Sequence, residues 1–134
     1  MGEQMLGGLV GKTYDAPEVQ AFVAPLGTVD VDEEIGAPES VYYTFEKSGV
    51  TVLTDVRSKR VTHIMLEAPQ GKRGYRGPIP FGLSFDSSRE QIRQALKREP
   101  DRTKPFFDAW EMGDYVFHVA YKAGAIKSIT FKVD

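Results

Sequence analysis

EKSGVTVLTDVRSKRVTHIMLEAP, residues 46–69, decides the fold, because a forward step of 65 residues lays it without a gap on EMGDYVFHVAYKAGAIKSITFKVD, residues 111–134. Under that step Val50, Val52, Thr54 and Val56 fall on Tyr115, Phe117, Val119 and Tyr121. Val61, Ile64, Leu66 and Ala68 fall on Ile126, Ile129, Phe131 and Val133. Few identities are shared, but the apolar positions agree. Apolar residues at every second position make strands with one buried face, and self-similarity at a fixed period marks a repeated supersecondary unit.

Working outward from residues 46–69, Lys47-Ser-Gly49 and Arg57–Arg60 are turns between strands expected at 41–45, 50–56 and 61–68. Three strands joined by short turns form an antiparallel meander. Upstream, Asp15-Ala-Pro-Glu18 opens a helix expected over 16–24. An aspartate cap, a proline in the first turn and an early acid all suit unpaired helix N–H groups. Between this helix and the first strand, GTVDVDEEIGAPES (27–40) reads as an acidic connector.

The second copy echoes the first. Gly82, Phe85 and Asp86 match Gly11, Tyr14 and Asp15, and Ser87–Glu90 has the spacing of a capping box for a helix over 88–98. A loop at 100–107 leads to strands at 108–112, 114–121 and 126–133. Residues 1–12 suggest a short helical turn around Met5, Leu6, Leu9 and Val10, weakened by Gly7, Gly8 and Gly11. PQGKRGYRGPIPF (69–81) is too rich in glycine and proline for regular structure and reads as a solvated linker. The expectation is an α+β fold in a single domain, 1–134, built of two tandem α-β-β-β repeats. The repeats span about 9–68 and 80–134 and are joined by linker 69–79. Their six strands form one antiparallel sheet with both helices packed on one face, since a half-apolar sheet must cover its greasy side.

A tandem helix-plus-meander unit resembles the architecture of the β-lactamase inhibitor protein family, and a single such unit is similar to the envelope-assembly lipoprotein BamE. GPIPFGLSFD (77–86), running into SREQIRQAL and followed later by AIKSITF, resembles small uncharacterised bacterial proteins that are associated with the immunity partners of polymorphic toxins. The disulfides of the first family and the lipidated cysteine of the second have no counterpart, because the chain has no cysteine. What the resemblance implies is a binding scaffold.

Composition narrows the chemistry. A net charge of −2 gives no general attraction to nucleic acid or membrane. Without cysteine there is no disulfide and no thiolate zinc site. No apolar run approaches the roughly 20 residues that span a bilayer, and MGEQMLGGLVGK lacks the basic start and apolar run of a secretory signal. A cytoplasmic location is expected. GGLVGKT fails as a phosphate loop, because Gly7 leaves three residues before Gly11-Lys12 where four are needed.

Candidate catalytic groups are sparse. His63 and His118 fall opposite the buried alternation, and no nucleophile triad or paired-histidine metal spacing can be built around them. Asp108, Glu111 and Asp114 could line a cation site or simply decorate a strand and its turn. Lys72, Arg73, Tyr75 and Arg76 could hold a phosphate or stack on a base, or be solvated. No cofactor is implied.

The charge is unevenly placed. From Thr13 to Glu46 there are eight acids and no Lys or Arg, whereas from Lys47 onward 16 basic residues face 10 acids. The two signs could meet in space and cancel, or the acids could serve a partner. Asp30, Asp32, Glu33 and Glu34, close to Tyr42, Tyr43 and Phe45, suit a basic protein: charge speeds association and aromatic residues anchor it. Nuclease-type toxins are basic because they bind phosphate backbones. The expected function is therefore a non-catalytic, cytoplasmic, immunity-type inhibitor that occludes a bacterial toxin, with Asp30, Asp32, Glu33, Glu34 and Tyr42 at the contact. The alternatives are an enzyme or ligand-binding domain with a carboxylate near Glu111 in a pocket between sheet and helices, or an assembly adaptor.

Overall fold

The computed structural model describes residues 5–34 and 39–133. Among them a single antiparallel sheet of eight strands runs in the order β1-β2-β3-β4-β8-β7-β6-β5. The first half carries β1 (Asp30–Glu34), β2 (Ser40–Phe45), β3 (Val50–Asp55) and β4 (Val61–Glu67). The second carries β5 (Arg102–Lys104), β6 (Phe107–Glu111), β7 (Val116–Lys122) and β8 (Ala125–Lys132). Three α-helices accompany them among the described residues: α1 (Met5–Leu9), α2 (Pro17–Val23) and α3 (Arg89–Leu96).

The sheet therefore has eight strands rather than six. The two additions are its outermost strands, and both lie where the sequence suggests loops. Residues 30–34 are mostly acids and 102–104 mostly bases, so neither shows a buried alternation. An edge strand needs only one hydrogen-bonded neighbour and can carry charge on both faces. β1 takes its partner from β2, with Asp32 opposite Tyr42, and β5 from β6, with Arg102 opposite Ala109.

The inner face holds the core. One cross-strand row runs Tyr43–Val52–Ile64–Phe131–Phe117–Trp110. Val52, Ile64, Phe131, Phe117 and Trp110 are all buried. Fully burying side chains of this size stabilises the fold by roughly 1.5–3 kcal/mol each. The row crosses the β4–β8 seam, so both halves of the chain share one cluster, which Leu6, Leu9, Val19, Val23 and Ile92 cover from the helices.

Helix starts follow local chemistry with small shifts. α2 begins at Pro17 after Ala16, and Asp15 makes no side-chain cap. α3 is opened by a capping box of Ser88 and Gln91, one residue later than the Ser87–Glu90 spacing suggests. Gly7 earns its place in α1 by contact: a Cβ there would lie 2.3 Å from the Tyr115 ring.

The segment 69–79 is not a solvated linker. Tyr75 and Ile79 are buried in the core cluster, and Tyr75 donates its hydroxyl to the Pro78 carbonyl at 2.8 Å. Tyr75 N–H bonds the Glu67 carbonyl, and Gly74 N–H bonds that of Lys47. Among the described residues no helix is long and apolar enough to cross a membrane.

Candidate functional site

The outer face of the sheet has a different character. Strand alternation and register put Asp32, Tyr42, Leu53, His63 and Lys132 in one row across it. The next row reads Asp30, Thr44, Thr51, Met65, Thr130 and His118, and ends on Ala109 and Arg102. None of these residues belongs to the core cluster, whereas Leu6, Leu9, Val19, Val23 and Ile92 of the three α-helices do. The helices thus cover the inner face and leave this one available.

Both histidines lie on this face, as their positions in the alternation suggest. His63 Nδ1 is 3.0 Å from Thr62 Oγ1, and the His118 ring stacks on Phe107 with centroids 4.9 Å apart. Burial lowers both pKa values, and the Lys132 ammonium on the intervening strand lowers them further. Both rings are therefore held toward their neutral form.

Charge gathers instead at the two edges. On β1, Asp30 and Asp32 alternate onto the outer face and Glu33 onto the inner one, while Glu34 pairs through its backbone with Ser40. Val31 is 60% exposed between the acids. No ion pair among the described residues engages Asp30, Asp32 or Glu33. Arg102 and Lys104 lie on the strand at the opposite edge. Seven inter-strand spacings of about 4.8 Å lie between the two edges, roughly 34 Å measured along the sheet.

The aromatic residues beside β1 divide between the faces. Tyr42 stands opposite Asp32 on the outer side. Phe45 is buried in the core, and Tyr43 stacks on Tyr14 with centroids 3.8 Å apart. Of the three, only Tyr42 is placed to anchor a partner on the outer face.

The carboxylates near residue 111 do not converge. Asp108 turns inward and is fully buried, while Glu111 alternates to the outer face. Among the described residues no group of three His, Cys, Asp or Glu side chains could hold a metal ion. Asp108 sits instead beneath α3. Arg89 and Arg93, one helical turn apart, both donate to its Oδ1, at 2.6 and 3.0 Å. Thr103 donates to the same oxygen at 2.6 Å, and the Tyr121 hydroxyl to Oδ2 at 3.1 Å. Burial alone would raise the Asp108 pKa, but the four donors outweigh it and hold the carboxyl well below its usual range. Burial, then the Asp108 charge, pushes Tyr121 upward. The cluster is a fixed ion pair clamping α3 to the sheet, with its carboxylate saturated. Sequence spacing does not reveal it, because its members come from a helix and three strands.

No protein-family model, characterised protein or solved structure matches this chain.

Proposed function

We propose that this chain is a cytoplasmic, non-catalytic binding protein, of the immunity type, that captures a basic protein toxin on the outer sheet face and its acidic edge. The observation that carries this reading is β1. It is an edge strand with acids on both faces, an exposed valine between them, and no described ion pair on Asp30, Asp32 or Glu33. Tyr42 stands next to it as an anchor. An extended basic segment is a fitting partner, because an open edge offers backbone hydrogen bonds while alternate side chains meet charge.

The scaffold is read as two tandem units, each a helix followed by four strands rather than three. In support, Val52 and Phe117, Ile64 and Ile129, and Leu66 and Phe131 are buried pairs 65 residues apart. A duplicated unit of this kind offers a broad sheet wall on one side and helices on the other.

The test is co-expression. The product of the reading frame adjacent to this gene, made alone, should arrest bacterial growth, and making this chain with it should restore growth. Arrest that this chain does not relieve, or a neighbour without toxicity, would sink the immunity reading.

A further inference from the structure

A cleft on the helical side of the molecule joins an apolar wall to a group of cations. It occupies about 480 Å³ between the end of α2 and residues 72–78, within the ~300–1,000 Å³ range of small-molecule sites. Phe22, Leu26, Tyr75 and Pro78 supply apolar wall. Lys47, Lys72 and Arg76 stand around it, and no acid lines it.

Both walls are fixed to the same β2–β3 turn. Ser48 donates its hydroxyl to the Leu26 carbonyl at 2.7 Å, which ties down the short 3-10 helix that extends α2. Gly74 N–H bonds the Lys47 carbonyl at 3.3 Å and ties down the opposite wall. Tyr75 forms the back of that wall, and Gly77 must stay without a side chain because a Cβ there would lie 2.5 Å from the Tyr75 hydroxyl oxygen. No described ion pair engages Lys47 or Lys72, and Arg76 spends one nitrogen on the Gly71 carbonyl.

In a protein of net charge −2, three cations around an apolar hollow with no acid in its lining select for one kind of occupant. We propose that this cleft binds a small amphipathic anion: a flat or short-chain apolar body carrying one carboxylate or phosphate. The apolar body lies against Phe22, Leu26 and Pro78, and the anionic head meets Lys47, Lys72 and Arg76. The size of the hollow and its fixed walls favour a small molecule over a lipid surface, which would need a broad basic face.

The experiment is an NMR titration of the full chain with 2-naphthoate, and in parallel with the neutral 2-naphthamide. Naphthoate should give saturable amide shifts confined to residues 21–26, 47–48 and 72–78, and the amide should bind about tenfold more weakly or worse. A variant carrying Lys47→Gln, Lys72→Gln and Arg76→Gln changes exposed side chains only and should lose the preference for naphthoate. Equal binding of the two compounds, shifts scattered over the surface, or no saturation would each overturn the proposal. Sedimentation of the chain with phosphatidylglycerol vesicles would also overturn it, by assigning the three cations to a lipid headgroup layer.

Discussion

Arg89 Nη2 and Arg93 Nη2 converge on one oxygen of Asp108, at 2.6 and 3.0 Å, so a single buried carboxylate anchors two turns of α3. Asp108→Asn should leave both guanidiniums short of a counter-charge. Each keeps about a third of its side chain in water, with 32% and 33% exposed. The expected loss is therefore about 2–4 kcal/mol, somewhat below that for breaking a fully buried pair. The pH dependence has a definite sign. The folded-state pKa of Asp108 lies below its unfolded value, so its contribution is present above about pH 4 and is lost as pH falls toward the folded value. Urea midpoints at pH 7 and pH 3 check this: the gap between them should be smaller in Asp108→Asn than in the parent.

Lys132 stands opposite His63 on β4, and Thr130, the next residue of β8 on the same face, stands opposite His118 on β7. It depresses both imidazoles, second to burial. Lys132→Gln should move both titrations upward together, without bringing either beyond the ordinary value near 6.5. Imidazole nitrogen shifts followed against pH measure this. A change in one ring alone would mean that the lysine does not sit between them as described.

Gly49 has φ +65°, and a Cβ there would meet the Tyr75 backbone nitrogen at 2.4 Å. The obstacle is backbone and cannot swing aside. Gly49→Ala should cost about 2–4 kcal/mol, combining left-handed strain with overpacking. Gly124 has φ +82° but open space around it, so Gly124→Ala should cost less. Thermal melts of the two variants compare them directly.

Asp30→Lys combined with Asp32→Lys reverses the outward charge of β1. Against the co-expressed toxin, association at low salt should slow by about tenfold or more, with dissociation changing less. The difference should shrink as salt is raised. Surface plasmon resonance at two ionic strengths provides the measurement; an unchanged association rate would remove β1 from the contact.

How much of this was legible in the sequence depends on what each residue packs against. The six inner strands and both main helices were readable because Val52, Ile64, Phe117 and Ile129 repeat with the period their structure imposes. Hairpin register was less so. Val52 pairs with Ile64, whereas a 65-residue step would pair Phe117 with Ile129 and the chain pairs it with Phe131. The offset is two residues, and an even offset leaves every side chain on the same face. β1 and β5 were hidden, because a charged edge strand carries no alternation to read. The Asp108 cluster was hidden because charge in sequence looks alike whether it is solvated or clamped beneath a helix. The docking of 69–79 was disguised by its glycines, which suggest freedom, whereas Gly74 lets the backbone approach Pro69 closely and Gly49 of the β2–β3 turn lets it approach Gly74 and Tyr75.

The strand order has a consequence for how the molecule is made. β8 is the last of the eight strands to leave a ribosome, yet it occupies the middle of the sheet, between β4 and β7. Until it arrives, β4 ends in a raw seam displaying Ile64 and Leu66, and β7 has no partner on its inner side. The sheet is therefore continuous only once the C-terminal strand has joined β4 to β7. Any stall before residue 125 leaves a product poised to pair with the wrong strand.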